Sequence, residues 1–96
     1  FPGGSMTGAP KSKAIEFIAK LESSPRGGYS GAIGYFGQDG SCDLGMVIRT
    51  AIFDETRVSI GIGGGITIDS EPESEHKEIQ LKATALVEGL SAVVDW

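Results

Sequence analysis

The chain has 96 residues, a formal net charge of −5 and an apolar content of 40%. A chain of this length suits one domain with a marginal core, because it buries only about 60 to 65% of its unfolded surface. The acidic charge argues against a nucleic-acid partner, and no run of about 18 apolar residues predicts a membrane span. The first residues lack the charged and apolar regions of a signal peptide, so we expect a cytoplasmic protein with no membrane partner.

The N-terminal part predicts a glycine-rich loop followed by a helix. Residues 1–11 read Phe-Pro-Gly-Gly-Ser-Met-Thr-Gly-Ala-Pro-Lys, and the proline suits the first turn of a helix. Apolar residues at helical spacing then predict a helix from about Pro10 to Leu21. Its apolar stripe comprises Ala14, Ile15, Ile18 and Leu21, and Phe17 widens it. The Ser-Ser-Pro-Arg-Gly-Gly run at 23–28 marks a loop.

Three strands are predicted in the middle of the chain. The first runs from Tyr29 to Phe36, the second covers 43–53, and the third runs from Arg57 to Ile62. Because short turns predicted at 37–40 and 54–56 join them, we expect an antiparallel three-strand meander. Arg49 lies in an otherwise apolar part of the second strand.

A glycine run at 61–65 leads to the last predicted element, a helix. It is expected to begin between Glu71 and Glu73 and to end near Leu90, with Ser70 as its N-cap. The residues that it is expected to bury are Ile79, Ala83, Leu86, Val87 and Leu90. The fold class predicted is therefore α+β: a three-strand meander flanked by two helices, in a single domain over 1–96.

One face of this helix combines two carboxylates with an ammonium group. At about 100° per residue, Glu75 and Glu78 lie roughly 60° apart, and Lys82 lies about 40° further on. Beside the free amides of a glycine run, such a face is suited to a divalent metal and a small polyanion. The alternative is a solvated ion pair between Glu78 and Lys82, worth about 0.3 to 0.5 kcal/mol, and spacing alone favours that alternative.

Several other motifs fail at single positions. Ala9 stands where a P-loop needs its lysine, Ile66 stands where a dinucleotide fingerprint needs its third glycine, and Ser74 stands where an EF-hand needs glycine. A single cysteine, Cys42, and a single histidine, His76, exclude an internal disulfide and a zinc site built from either residue type. We expect Cys42 to be a small, partly buried strand residue and His76 to face solvent.

Five blocks of sequence then occur in order along nearly the whole chain. They are the 1–11 segment, Pro-Arg-Gly-Gly-Tyr-Ser-Gly-Ala-Ile-Gly-Tyr from 25, Ile-Arg-Thr from 48, Gly-Gly-Gly-Ile-Thr-Ile-Asp-Ser-Glu-Pro-Glu-Ser-Glu-His-Lys-Glu from 63, and Lys-Ala at 82. Together they resemble the C-terminal part of the chorismate-utilising enzymes. That family includes aminodeoxychorismate and anthranilate synthase component I, isochorismate synthase and salicylate synthase. The first and fourth blocks most resemble the aminodeoxychorismate branch.

The resemblance implies roles for individual residues. Glu75 and Glu78 match carboxylates that hold Mg²⁺ against the ring carboxylate of chorismate. The implied substrate contacts are Ser5, Tyr29, Arg49, Lys82 and the backbone amides of Gly63, Gly64 and Gly65. Considered without the resemblance, Tyr29 is more often a core residue than a ligand contact. The alternative for Arg49 is an ion pair with an acidic neighbour, and the alternative for the glycines is a simple bend.

The resemblance also implies a reaction and a partner. The parent enzyme would aminate chorismate to 4-amino-4-deoxychorismate, on the para-aminobenzoate and folate branch, with ammonia from a glutamine amidotransferase subunit or domain. A fragment of an anthranilate, isochorismate or salicylate synthase is the alternative within the family. Because the family's acid, base or lysine nucleophile lies upstream, we expect a C-terminal fragment that carries no catalytic residue, is inactive alone and is prone to self-association. The alternative of another class is a non-catalytic interaction module.

Overall fold

The computed structural model describes residues 2–92, and the chain forms two compact units, Phe1–Ile48 and Arg49–Trp96. Its helices and strands are α1 (Gly4–Thr7), α2 (Lys11–Leu21), β1 (Ala32–Phe36), β2 (Cys42–Met46), β3 (Ala51–Phe53), β4 (Val58–Ile60) and α3 (Pro72–Ser91). The predicted α+β class is confirmed, while the single domain over 1–96 stays a prediction. Within the described range, no helix is long and apolar enough to cross a membrane.

The N-terminal unit begins with one helical turn, α1, where the sequence predicts a loop. The N–H of Gly8 donates to the carbonyl of Gly4 at 2.9 Å and closes this turn, at a φ of 133° that glycine adopts most readily. The predicted second element is confirmed as α2. Ala14 and Ile18 on its apolar stripe are half-buried, but Leu21 is 80% exposed. Only part of the stripe is therefore covered.

β1 and β2 pair as an antiparallel hairpin, in which Tyr35 lies opposite Asp43. The carboxylate of Asp39 accepts hydrogen bonds from the N–H and the hydroxyl of Ser41, at 3.0 and 2.6 Å. Gly40 supplies a positive φ of 84°. Because Asp and Gly satisfy these two requirements of a tight turn, the turn predicted here is confirmed.

The predicted second strand, 43–53, is interrupted after β2, so the three-strand meander is not exact. The carbonyl of Val47 accepts a hydrogen bond from the N–H of Ser30 at 2.9 Å, and its N–H donates to the carbonyl of Gly31 at 3.0 Å. Arg49 then adopts a φ of 49°, in the left-handed region, which does not continue a strand. The result is two separate two-stranded sheets, β1–β2 and β3–β4.

β3 and β4 form the second hairpin, in which Ala51 lies opposite Ile60. Asp54 closes its turn, because the carboxylate accepts hydrogen bonds from the N–H groups of Thr56 and Arg57 at 2.8 and 3.1 Å. The N–H of Asp54 in turn donates to the carbonyl of Arg57 at 3.0 Å. β4 is shorter than the third strand that the sequence predicts.

α3 lies where the sequence predicts the last helix. Ser70 is not its N-cap, however, because the Ser70 hydroxyl accepts a hydrogen bond from the N–H of Thr67 at 2.8 Å and Glu71 takes the cap position. Half-buried residues recur at helical spacing along one stripe: Glu75, Ile79, Lys82, Ala83, Leu86 and Leu90. Val87 was expected in this stripe but is 47% exposed.

Very little of the described chain is buried. Val47 is its one buried apolar residue and Ser30 its one buried polar residue, and these two are joined by the backbone hydrogen bond between them. Large apolar side chains such as Ile68, at 99%, and Phe36, at 79%, remain exposed. The fold therefore places its most closely packed point at the end of the first hairpin, beside the turn that carries Tyr29.

Candidate functional site

The glycine run lies against the half-buried stripe of α3. A Cβ added to Gly64 would be 3.5 Å from Oε2 of Glu75 and 4.0 Å from Cγ1 of Ile79. One turn further along the helix, Nζ of Lys82 donates to the carbonyl of Gly63 at 3.4 Å. The run predicted to bind a carboxylate through its amides is therefore held beside an acid and an ammonium group of α3.

Glu78 and Lys82 form an ion pair, with Nζ 3.0 Å from Oε1. The two side chains are 56% and 36% exposed, so water screens the pair, and its contribution is at most about 0.5 kcal/mol. The solvated pair favoured by spacing alone is thus present. It also holds the ammonium group over the helix face on which the glycine run lies.

Glu75 and Glu78 alone provide too few ligands for the metal site predicted from the sequence. Residues 2–92 contain no group of three or more His, Cys, Asp or Glu side chains placed to hold a metal ion. Two carboxylates are the hard oxygen ligands that Mg²⁺ prefers, but Mg²⁺ requires about six. Their chemistry fits Mg²⁺ as part of a site, with the other ligands from substrate, water or further chain.

Arg49 presents an exposed guanidinium from a strained backbone. Its φ of 49° costs a residue other than glycine about 1 to 2 kcal/mol. Among the described residues, no hydrogen bond or ion pair engages its side chain. Strain of this kind is typical of functional positions, and a planar fork of donors is suited to a carboxylate.

The N-terminal unit carries the two other predicted contacts. Ser5 lies exposed in α1, and Tyr29 lies half-buried in the turn before β1. Arg26 connects these two segments: its Nη1 donates to the carbonyl of Met6 at 2.7 Å, and its guanidinium carbon lies 5.7 Å from the centre of the Tyr29 ring. Arg26 is not among the site residues predicted from the sequence, although it lies in the Pro-Arg-Gly-Gly block of the resemblance.

Glu22 anchors the other side of this arginine. Its Oε1 lies 2.6 Å from Nη2 of Arg26, and its Oε2 accepts from Nε at 2.9 Å. This hydrogen bonding, reinforced by the opposite charge, lowers the pKa of the Glu22 carboxyl and raises that of Arg26. Both groups therefore stay charged throughout the neutral range.

An open pocket of about 310 Å³ lies at the end of α2. Its lining comprises Ile18, Ala19, Glu22, Ser23, Ser24, Pro25 and Arg26. None of the residues predicted to bind substrate or metal is among them. Arg26 lies both in this lining and against the ring of Tyr29.

The chain matches a known protein family over most of its length. The family described as chorismate binding enzyme matches residues 1–88. The chain belongs to this family.

The chain is also similar in sequence to individual members of this family. The chain is 50% identical over 90 residues to an aminodeoxychorismate synthase of Streptomyces pristinaespiralis, which covers 94% of the chain and 12% of that protein. It is 54% identical over 85 residues to the chloroplastic aminodeoxychorismate synthase of Arabidopsis thaliana. That alignment covers 88% of the chain and 9% of the Arabidopsis protein. An anthranilate synthase component 1 of Haloarcula marismortui is 43% identical, over 97% of the chain and 18% of that protein.

The chain thus spans about a tenth of the length of the aminodeoxychorismate synthases that it matches and less than a fifth of that anthranilate synthase component. Within this segment of the family fold, the structure brings together Glu75, Lys82 and the glycine run, with Glu78 bound to Lys82. Arg49 belongs to the same unit, whereas Ser5 and Tyr29 belong to the other. Their binding roles stay predictions.

Proposed function

We propose that the polypeptide carrying this chain is a synthase that aminates chorismate to 4-amino-4-deoxychorismate. The observation that supports this branch is the higher identity to the aminodeoxychorismate synthases, 50 and 54%, than to the anthranilate synthase component, 43%. An anthranilate, isochorismate or salicylate product is the alternative within the family.

In this proposal the C-terminal unit binds carboxylates. Chorismate carries two of them, so its site requires fixed cations and N–H donors. The ammonium group of Lys82 and the amides of Gly63, Gly64 and Gly65 provide both beside α3, and close backbone approach is available because glycine has no side chain. The exposed guanidinium of Arg49 provides a second cation with a planar fork of donors.

Glu75 and Glu78 would hold Mg²⁺ in the complete enzyme. When bound, the ion would offset the charge of the ring carboxylate and polarise it. Glu75 is half-buried next to the glycine run, while Glu78 is exposed and forms an ion pair with Lys82. A ligand that draws the ammonium of Lys82 away would release Glu78 for the metal, so binding of the two would be linked.

The N-terminal unit would contribute the Tyr29 hydroxyl and the Ser5 hydroxyl as further hydrogen-bond donors to the substrate. The groups that move protons or attack the ring would come from the remaining length of the polypeptide, and the ammonia from a glutamine amidotransferase partner. The isolated 96-residue chain would then be inactive.

Product analysis of the full-length polypeptide tests this proposal. With chorismate, Mg²⁺ and an ammonium salt, we expect an amine product that keeps the enolpyruvyl group and no released pyruvate. Because anthranilate and salicylate both lack that group, stoichiometric pyruvate measured with lactate dehydrogenase would exclude 4-amino-4-deoxychorismate, and an amine on the aromatic product would then select anthranilate. An unchanged chorismate peak would reject both.

Calorimetric titration of the chain itself tests whether it binds ligand on its own or is a non-catalytic interaction module without a ligand. Heat from chorismate or benzoate that requires Mg²⁺ and disappears in Glu78→Ala would support ligand binding by these residues. Absence of heat with and without Mg²⁺ would favour the interaction module. Arg57→Ala is a matched control, because Arg57 is exposed, its side chain pairs with the turn residue Asp54, and neither residue is among the predicted contacts.

A further inference from the structure

Arg26 makes more side-chain hydrogen bonds than any other described residue. Its guanidinium donates to four different acceptors, which are Oε1 and Oε2 of Glu22, the carbonyl of Met6 and the hydroxyl of Ser30. Met6 is 20 residues away in sequence, whereas Glu22 and Ser30 are each four residues away, and Ser30 is buried to 4% exposure. A side chain with this set of partners links separate segments.

This arrangement leaves Arg26 little capacity to bind a ligand directly. Arginine has five N–H groups, and four acceptors already share them. The carboxylate of Glu22 also balances its charge at 2.6 Å, so an incoming anion would have to displace an existing partner. The side chain is only 22% exposed. Its contacts are those of a residue that holds others in place.

The segments held by Arg26 are the two that carry Ser5 and Tyr29. The carbonyl of Met6 belongs to α1, next to Ser5, and the Tyr29 ring lies under the guanidinium at 5.7 Å. On the far side of Tyr29, Ser30 adopts a φ of 67° and pairs its backbone with Val47. The Tyr29 turn is therefore fixed by Arg26 on one side and by the first hairpin on the other.

We propose that Arg26 is a positioning residue that holds the Tyr29 turn and α1 in one arrangement and thereby sets the affinity for the substrate carboxylate. The inference rests on the proposed function, because it assigns substrate contact to Tyr29 and Ser5. Arginine is required because its planar guanidinium donates hydrogen bonds to Glu22 and to Met6 at the same time, which the single ammonium group of lysine does not do.

Steady-state kinetics of the full-length synthase test the inference through Arg26→Lys, which keeps the charge. We expect KM for chorismate to rise about tenfold and kcat to stay within about twofold, the pattern of lost binding rather than lost chemistry. Arg57→Lys, at an exposed ion pair, is the matched control and should leave both constants unchanged. A wild-type KM in Arg26→Lys would overturn the inference while leaving the proposed function intact.

A double-mutant cycle with Tyr29→Phe separates positioning from general destabilisation. If Arg26 acts through the Tyr29 hydroxyl, Arg26→Lys should raise KM less than about threefold when it is combined with Tyr29→Phe, because coupled residues are not additive. An equal rise with and without Tyr29→Phe would overturn the inference. A wild-type enzyme without saturable dependence on chorismate would overturn the proposed function, and this inference with it.

Glu22→Gln provides a second variant if Arg26→Lys does not fold. It keeps the arginine and removes only the charge of its anchoring partner, so KM should rise in the same direction by a smaller factor. Circular dichroism that matches the wild type, together with an unchanged KM, would contradict the positioning role.

Discussion

The carboxylate of Glu75 lies against the backbone of Gly64, so that a Cβ at Gly64 would be 3.5 Å from Oε2 of Glu75. That separation is an ordinary van der Waals contact for one added carbon. Valine would add two methyl groups to that carbon and bring more bulk towards the carboxylate. The glycine run therefore keeps the acid of α3 close to the backbone amides predicted to bind substrate.

We expect Gly64→Val to weaken Mg²⁺ binding by the full-length polypeptide about tenfold, which corresponds to about 1.4 kcal/mol. The extra methyl groups would overlap Glu75 and displace its carboxylate. Gly64→Ala is the matched control, because its Cβ fits at 3.5 Å and Mg²⁺ affinity should change little. Calorimetric titration with Mg²⁺ measures both. Equal affinities in the two variants would contradict the role given to Glu75.

Replacing Arg49 by glycine is expected to raise the free energy of unfolding while reducing substrate binding. Arg49→Gly removes left-handed strain of about 1 to 2 kcal/mol and adds a backbone-entropy cost of about 0.5 to 1 kcal/mol, for a net gain of up to about 1.5 kcal/mol. Arg49→Ala loses the same guanidinium but keeps the strain, so it should bind chorismate as weakly without the gain. Urea denaturation and chorismate titration give the two readouts. A gain in Arg49→Ala would show that strain is not the cause.

Gly8→Ala is expected to destabilise the N-terminal unit by about 1 to 3 kcal/mol, because φ at Gly8 is 133° and the new Cβ would lie 3.1 Å from Cβ of Ala14. Gly4→Ala is the control within the same helical turn. Its Cβ would meet nothing within 4 Å and its φ is not positive, so stability should not fall. Thermal unfolding followed by circular dichroism distinguishes the two.

Stability is expected to fall below about pH 5 through the contact between Glu22 and Arg26. The hydrogen bond from Arg26 lowers the pKa of the folded Glu22 carboxyl from its ordinary 4.5. The stability that this contact contributes is therefore fully present above the pKa of Glu22 in the unfolded chain. It is lost as the pH falls through the lower pKa of Glu22 in the folded protein. Urea unfolding between pH 7 and 3 measures it, and Glu22→Gln should flatten that part of the profile. An identical slope in Glu22→Gln would exclude this pair as a source.

Gly89→Ala is expected to stabilise the protein by about 0.5 to 1 kcal/mol. Gly89 lies within α3, and a Cβ there would meet nothing within 4 Å. Alanine thus reduces the entropy of the unfolded chain without a clash. Denaturant titration measures the gain, and chorismate binding, to which Gly89 does not contribute, should not change.

Features governed by neighbouring residues were predictable from the sequence. The period of the apolar residues predicted α2 and α3, because a helix is set by contacts three and four residues apart. The two hairpin turns followed from Asp39 with Gly40 and from Asp54, since those residues satisfy local backbone donors or adopt positive φ. The motif blocks, with their order and spacing, indicated the family before any coordinates.

Tertiary structure decided the features that depend on residues distant in the chain. The interruption at Val47 and Arg49 follows from hydrogen bonds between Val47 and the turn at Ser30, which no local pattern indicates. The contact of Arg26 with Met6 spans 20 residues, and that of Lys82 with Gly63 spans 19. The sequence supplied these side chains, but only the folded chain brings each one to its partner, because such contacts form only when the chain between them is ordered.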